Sequence, residues 1–487
     1  MSQIRCRFAP SPTGMIHIGN MRTTLFNWLF ARHQGGTFVL RLEDTDLARS
    51  EDQYEDTIYE EMRWLGLTWD EGPDIGGAYG PYRQTERTDT YRDYADRLLA
   101  SGHVYECFCS QEELDQARAT AEAKGETYRY DGRCRGLSKE ERDRLRAEGK
   151  VPALRFHVPE NQVVGFDDLI RGRIEFNTNE IGDFIIIRSN GIPVYNFANV
   201  VDDASMKITH IIRGAEHIIN TPIQILLYQA LDLPVPQFAH GSLVLGQDKS
   251  KLSKRKHSEA FVTEFRRKGY LPEALFNFLA LLGWSPKGEQ EILSREQIIE
   301  QFSLENVSRS PAVFDLDKLN WINGHYIRQT PVDRITDLAI PHLKEAGYIT
   351  GEPDADTYRW LTGMVAAVQD RLDYVAQIVD HVGIFFSDDF ILDDEAKSVM
   401  SETHVPELLK AFTTALRELD ALNEENVKPL FKSVGKQVGV AGKKVFMPIR
   451  VALTGQLHGP ELAHIIPVLG YERIAKRLAR WTMNGIE

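Results

Sequence analysis

Cysteine is scarce in this chain: 487 residues include four, and three of them, Cys107, Cys109 and Cys134, crowd into one segment away from Cys6. In a cytosolic chain such crowding favours metal ligation over disulfides. Long apolar runs are also missing. No stretch reaches the roughly 18 uninterrupted apolar residues of a membrane span, so no membrane partner is expected. Arg5 and Arg7 already stand among the first ten residues with no apolar segment after them, so nothing there looks like a secretory leader and a cytoplasmic protein is expected. Net positive charge is lacking as well. A formal charge of −14 argues against wholesale nucleic-acid binding, although averages hide local fields. From Lys428 to Glu487 ten Lys/Arg stand against three Glu, a basic segment that could hold phosphates or merely face water. Internal repeats and low-complexity tracts are absent. The length is too great for one ordinary core, so two to four domains are expected.

The first segment alternates strand and helix signals. Arg5 to Ala9 reads as a strand running into the turn Pro10-Ser11-Pro12-Thr13-Gly14. His17-Ile18-Gly19-Asn20 then opens an apolar-periodic helix, and Phe38 to Leu42 is a second strand ending at Glu43-Asp44-Thr45-Asp46. Strand, helix, strand is a βαβ unit, which implies a parallel sheet with ligands at the carboxyl ends of its strands. The stretch from about 105 to 185 breaks this rhythm with the cysteines, a charged helix from Glu112 to Lys124, and short strands at Ala153–Val158 and Asp183–Arg188. It reads as an insertion. The βα pattern resumes at Ile192–Val201, Ile208–Arg213 and Pro222–Leu231, and beyond about 259 helical patterns dominate, Leu275–Leu282 and Trp360–Phe386 among them.

Two short segments carry chemistry. A histidine at a strand-to-helix junction, His17, can donate to phosphate oxygens, and Gly19 leaves room for a nucleotide at a helix N-terminus that favours anions. Taken alone, the same residues read more simply as a loop histidine with a glycine cap. Lys251-Leu252-Ser253-Lys254-Arg255 lies in a polar loop, and its lysines can neutralise charge as pyrophosphate leaves. By itself it also reads as a solvated basic loop.

In this order the two segments resemble the HIGH and KMSKS motifs of class I aminoacyl-tRNA synthetases. Within that class, Arg7-Phe8-Ala9-Pro10-Ser11-Pro12-Thr13-Gly14, Arg41-Leu42-Glu43-Asp44-Thr45-Asp46, Tyr195 to Asp203, Ile212 to His217 and Phe314 to Leu319 resemble the glutamyl-tRNA synthetases of bacterial type. The resemblance is dense from residue 5 to about 330 and diffuse beyond. It implies a multidomain α/β plus all-α architecture: a Rossmann-type parallel-sheet catalytic domain (1–104 and 186–258) with an acceptor-binding insertion (105–185), then a stem-contact domain (259–330) and a helical anticodon-binding region (331–487). It implies a monomer that takes glutamate, ATP with Mg²⁺, and tRNA(Glu), the tRNA being needed before the adenylate forms.

Residue roles follow from the same resemblance. Arg7, Tyr195 and Arg213 hold the glutamate side chain, as guanidinium groups are suited to do, while Ala9, Ser11, Glu43 and Asn199 surround its amino-acid head. ATP is contacted by His17, Gly19, Glu216, His217, Lys251, Ser253 and Lys254, of which His17, Gly19, Lys251 and Lys254 serve catalysis. Some members place zinc through Cys-x-Cys followed by Tyr-x-x-x-Cys, matching Cys107, Cys109, Tyr130 and Cys134; others have a histidine where this chain has Gly136. Arg371 falls where discriminating members read the last anticodon base. Without the resemblance, Arg7 and Arg213 read as structural ion pairs, the cysteines as three reduced thiols, and Arg371 as a surface arginine. The rivals are a glutaminyl-tRNA synthetase, a shorter tRNA-modifying relative, and a nucleotidyltransferase that takes no tRNA.

Overall fold

The computed structural model describes residues 3–45, 52–250, 252 and 260–483. They divide by packing into two compact units, Met1–Phe265 with Leu275–Asp315, and Arg266–Ala274 with Leu316–Glu487.

In the first unit β1 (Arg5–Phe8) and β2 (Thr37–Leu40) pair in parallel, joined by helix α1 (Ile18–His33). All eight strand residues are buried. Both faces of such strands are covered, and although β1 alternates as Arg5-Cys6-Arg7-Phe8, its arginines are buried too, paired with Glu71 and Asp203. Next come β3 (Val104–Cys107), β4 (Ala153–Phe156), the hairpin of β5 (Val163–Asp168) and β6 (Gly172–Asn177), and β7 (Phe184–Ile187). β3, β4 and β7 form an antiparallel sheet in that order. The hairpin joins two parallel strands, β8 (His210–Gly214) and β9 (Gln237–Gly241), through Asp168 beside Phe238 on β9. β8 runs alongside β1, where the Thr209 amide donates to the Arg5 carbonyl at 3.0 Å. Asn27 of α1 donates to the Ile212 carbonyl at 2.8 Å, fastening the helix to β8. The inserted strands share one apolar core with the helices Tyr195–Ser205 and Thr221–Ala230: Phe156, Phe166 and Ile186 pack with Phe197, Val201 and Ile225.

Behind the strand ends lies a buried ionic network. Arg41, just past β2, is fully buried. Its guanidinium is 2.6 Å from Asp203, 3.4 Å from Glu43 and 3.6 Å from Asp202, and donates to Asn199 Oδ1 at 3.1 Å. Arg7 reaches Asp203 at 3.2 Å, and Arg87 reaches Asp202 at 2.6 Å. Gln84 and Tyr91 bond Asp202 as well. Three cations thus face three carboxylates. Burial opposes the Arg41 charge, yet Asp203, Asp202 and Glu43 more than offset it and raise its pKa. Against the same burial, Arg41 and Arg7 hold Asp203 below the usual carboxylate range, whereas at Asp202 burial prevails and pushes the pKa up.

The second unit is helical, with Leu316–Gln329, Val332–Glu345, Ala355–Val368, Val405–Arg417, Glu424–Val438, Lys443–Thr454 and Leu462–Met483 as its longer elements. Side-chain caps at Asp354 and Asn423 start two of them, and Gly439, at φ 79°, ends the second of these in the left-handed conformation that glycine takes without strain. The apolar period from Trp360 to Phe386 predicts continuous helix, but the structure breaks it after Val368 into the turns Gln369–Arg371 and Val375–Gln377 and two four-residue helices. Polar side chains cause the break. Gln369 donates to the carbonyls of Ile327 and Thr330, and Gln377 accepts from the amides of Asp373 and Tyr374. Part of the basic C-terminal charge is used internally: Arg473, Lys476 and Arg477 all pair with Asp388, and Lys428 pairs with Glu424. No helix among the described residues is long and apolar enough to cross a membrane.

Replacing Arg41 by methionine keeps the volume but leaves buried carboxylates short of a counter-charge. Breaking such a pair costs about 3–5 kcal/mol. Urea denaturation of the full chain should show that loss in the transition of the first unit. A loss below about 1 kcal/mol would mean that Arg7 and Arg87 suffice.

Candidate active site and metal centre

A cavity of about 380 Å³ opens at the carboxyl ends of β1 and β8, lined by Arg7, Ala9, Ser11, His17, Gly19, Glu43, Tyr195, Asn199, Arg213, Glu216 and His217. The structure therefore brings together every predicted glutamate residue and every predicted ATP residue that it describes. Lys251, Ser253 and Lys254 lie outside the described residues. Leu252 between them is buried, bonds the Val244 carbonyl through its amide, and lines the same cavity.

His17 caps α1. Its Nδ1 accepts the Gly19 amide at 3.3 Å, so a neutral ring carries its proton on Nε2. A Cβ at Gly19 would meet only ordinary contacts, His17 Nδ1 at 3.6 Å and Val244 at 3.8 Å. That glycine thus supplies room in the cavity wall, not an unusual backbone angle.

Arg213 stands on β8 beside His240 of β9. It is 5% exposed. Its Nε donates to His240 Nε2 at 3.1 Å and its Nη2 to Thr221 Oγ1 at 2.9 Å, while Nη1 is buried with no hydrogen-bond partner among the described residues. Burial pushes its pKa below the ordinary value, with the charge of Arg7 adding to the effect. Arg213 thus carries a positive charge whose direct partners are all neutral. Arg7, by contrast, has Asp203. Glu43 is pushed up by burial, against the pull of Arg41 and Arg7. A cation arriving beside it would draw that pKa back down. Asn199 is fixed at both ends, accepting from Arg41 and donating to the Tyr195 carbonyl at 3.2 Å. Tyr195 Oη lies 3.2 Å from His217 Nδ1.

The cysteines meet as the spacing predicts. The sulfurs of Cys107, Cys109 and Cys134 lie within 4.8 Å of one another. Cys109 and Cys134 are 3.6 Å apart, and Tyr130 Oη sits 3.6 Å from Cys107 Sγ and 3.4 Å from Cys109 Sγ. Tetrahedral zinc, with Zn–S of about 2.3 Å and Zn–O of about 2.0 Å, requires S···S near ~3.8 Å and S···O near ~3.5 Å. The four groups fit. The Arg155 guanidinium lies 3.7 Å over the Tyr130 ring, where its charge favours an electron-rich phenol oxygen. Arg371 is exposed, in the turn after Ala355–Val368, in the second unit.

Sequence reasoning assigned no role to Arg41, Asp202 and Asp203, although all three lie in the motifs quoted. Their signal was charge inside otherwise apolar stretches. Asp168 and His240 gave no signal, because 72 residues separate them.

A parallel sheet whose first helix is capped by a histidine is the catalytic architecture of class I tRNA synthetases. The profile of that family, described as tRNA synthetases class I (E and Q), catalytic domain, matches residues 3–321, and an anticodon binding domain profile matches 334–482. The glutamate–tRNA ligase of Desulforamulus reducens is 53% identical over 98% of this chain and 98% of its own length; that of Bacillus subtilis is 47% identical over 98% and 99%. The crystal structure of a glutamate tRNA ligase from Elizabethkingia meningosepticum in complex with its amino acid superposes with a TM-score of 0.90, at 35% identity, covering 99% of this chain and all of that one. The chain belongs to the glutamate–tRNA ligase family.

Burial, followed by the nearby Arg213 charge, lowers the pKa of His217 to about 4. An unfolded histidine titrates near ~6.5. The unfolded chain therefore binds the extra proton first, and stability falls as pH drops from about 6.5 to about 4. His217→Gln should flatten that part of the profile, narrowing its gap to wild type as the pH falls. Denaturation midpoints at pH 7 and pH 5 measure this, and an unchanged gap would contradict it.

Proposed function

We infer that the chain ligates L-glutamate to tRNA(Glu) with ATP, and that Arg213, helped by Arg7 and Tyr195, selects the substrate by its side-chain carboxylate. One observation carries the selection: a buried guanidinium with only neutral direct partners and one Nη facing no acceptor. A carboxylate supplies both missing elements, charge and acceptor. Glutamine would leave that buried charge unpaired, a mismatch that can discriminate by about 10⁴ or more without editing.

Glu43 takes the α-ammonium, flanked by Ala9, Ser11 and Asn199. The glutamate α-carboxylate then attacks the α-phosphorus of ATP, giving glutamyl-adenylate and pyrophosphate, and a terminal hydroxyl of the tRNA attacks the mixed anhydride and releases AMP. Positioning and neutralisation of phosphate charge supply the acceleration, and no general base is required. His17, with its proton on Nε2, and Lys251 and Lys254 contact the phosphates; Gly19, Glu216, His217 and Ser253 complete the nucleotide site. Mg²⁺ enters with ATP, without a dedicated protein cage.

The remaining assignments belong to the same reading. Residues 105–185 receive the acceptor end, 259–330 the stem and 331–487 the anticodon, with Arg371 reading its last base. Cys107, Cys109, Tyr130 and Cys134 hold a structural Zn²⁺ that ties β3 to the loop before Leu137. The protein works in the cytoplasm as a monomer.

ATP–pyrophosphate exchange tests the reading. It should appear with glutamate and not glutamine, and depend on added tRNA; no exchange with either amino acid, tRNA included, would overturn it. Lys254→Ala should slow adenylate formation by about 10²-fold or more while leaving glutamate binding nearly unchanged. Metal analysis of the purified wild type should find one zinc per chain, lost in Cys109→Ser. A zinc-free wild type would end that assignment.

A further inference from the structure

Arg213 is aimed by a group that is itself held by another. His240 Nδ1 lies 2.6 Å from Asp168 Oδ2, and both side chains are fully buried. Asp168 is fixed in turn: its Oδ1 accepts the amides of Ile170 and Arg171 at 3.0 and 2.8 Å, and its Oδ2 accepts that of His240 at 3.1 Å. Despite burial, those bonds hold Asp168 below the usual carboxylate range. An ionised carboxylate can only accept, so the ring proton sits on Nδ1 and the lone pair on Nε2. That lone pair receives the Arg213 Nε–H. The Thr221 hydroxyl stands 3.1 Å from the same nitrogen and accepts from Arg213 Nη2. Burial also keeps the ring neutral, lowering the His240 pKa.

The chemistry of this arrangement differs from a direct ion pair. An aspartate bonded straight to Arg213 would orient it equally well, but would compete with the ligand for its charge. A neutral imidazole in between passes on the orientation and withholds the counter-charge. We propose that Asp168 and His240 are positioning residues for amino-acid selection: they fix Arg213 through a neutral acceptor, so that its full charge is left for the side-chain carboxylate of the substrate. The proposal rests on the assignment of Arg213 above. It also gives the inserted hairpin a part in the catalytic site, since Asp168 ends β5 and meets β9 at Phe238.

The test is a pair of substitutions in the full chain, assayed by pyrophosphate exchange with tRNA present. The carboxamide of His240→Gln reaches the Nε2 position and can accept from Arg213; that of His240→Asn stops near Nδ1 and cannot. His240→Asn should raise the KM for glutamate at least about tenfold, leave the KM for ATP within about twofold, and lower the preference for glutamate over glutamine; His240→Gln should recover most of the glutamate KM. Equal losses in the two variants, or equal shifts in both KM values, would overturn the proposal. Ring ¹⁵N shifts of His240 in the wild type, assigned by comparison with His240→Gln, give a readout that does not depend on a folded Asn variant: an unprotonated Nε2 supports the positioning role and a protonated Nε2 removes it. A wild type with no glutamate-dependent exchange would instead remove the underlying assignment of Arg213.

Discussion

Charge taken out of water must be answered within the protein, and the catalytic unit answers it in two different ways. Burying an ion costs several kcal/mol even after relaxation. At Arg41 the charge is met by carboxylates: Asp203, Asp202 and Glu43, with Asn199, surround the guanidinium, and Arg7 and Arg87 pair with the same aspartates. That network joins the end of β2 to the helix Tyr195–Ser205 and sets the positions of Glu43, Asn199 and Arg7. At Arg213 the answer is left incomplete, with His240 and Thr221 as neutral partners. The first arrangement ties strand to helix, and the second leaves a buried charge with no direct counter-ion.

Much of this was legible in the sequence, for reasons that can be named. His17 and Gly19 are two residues apart at a strand-to-helix junction, and Cys107, Cys109 and Cys134 are close enough in the chain for local folding to gather them. Such short-range patterns survive being read without a fold. β1 was visible as a short strand running into a Pro-rich turn and β2 as an apolar run, with ends displaced by a residue or two. What could not be read was the pairing of distant groups. β9, with the sequence Gln237-Phe238-Ala239-His240-Gly241, carries weak strand signals and draws its stability from neighbours on both sides. Asp168 and His240 become partners only when the inserted hairpin lies against it.

The helical unit shows the opposite limit. Its period announces helices well, but periodicity does not register the polar side chains that end them. Gln369 and Gln377 replace backbone hydrogen bonds and turn one expected helix into several short pieces, with Arg371 exposed on one of them. The charge count of the last sixty residues likewise reads as a free basic surface, whereas Asp388 alone engages three of its cations. Net charge says how many ions there are, and only the fold says which are already paired.

The central claim is that the unpaired charge of Arg213 selects the amino acid. It is tested most directly by measuring kcat/KM for glutamate and for glutamine in Arg213→Gln beside the wild type. The account predicts that glutamate loses at least about 10³-fold while glutamine changes little or improves, so that the ratio moves towards one. A variant that loses both activities equally, with the ratio unchanged, would show that selection resides elsewhere in the cavity.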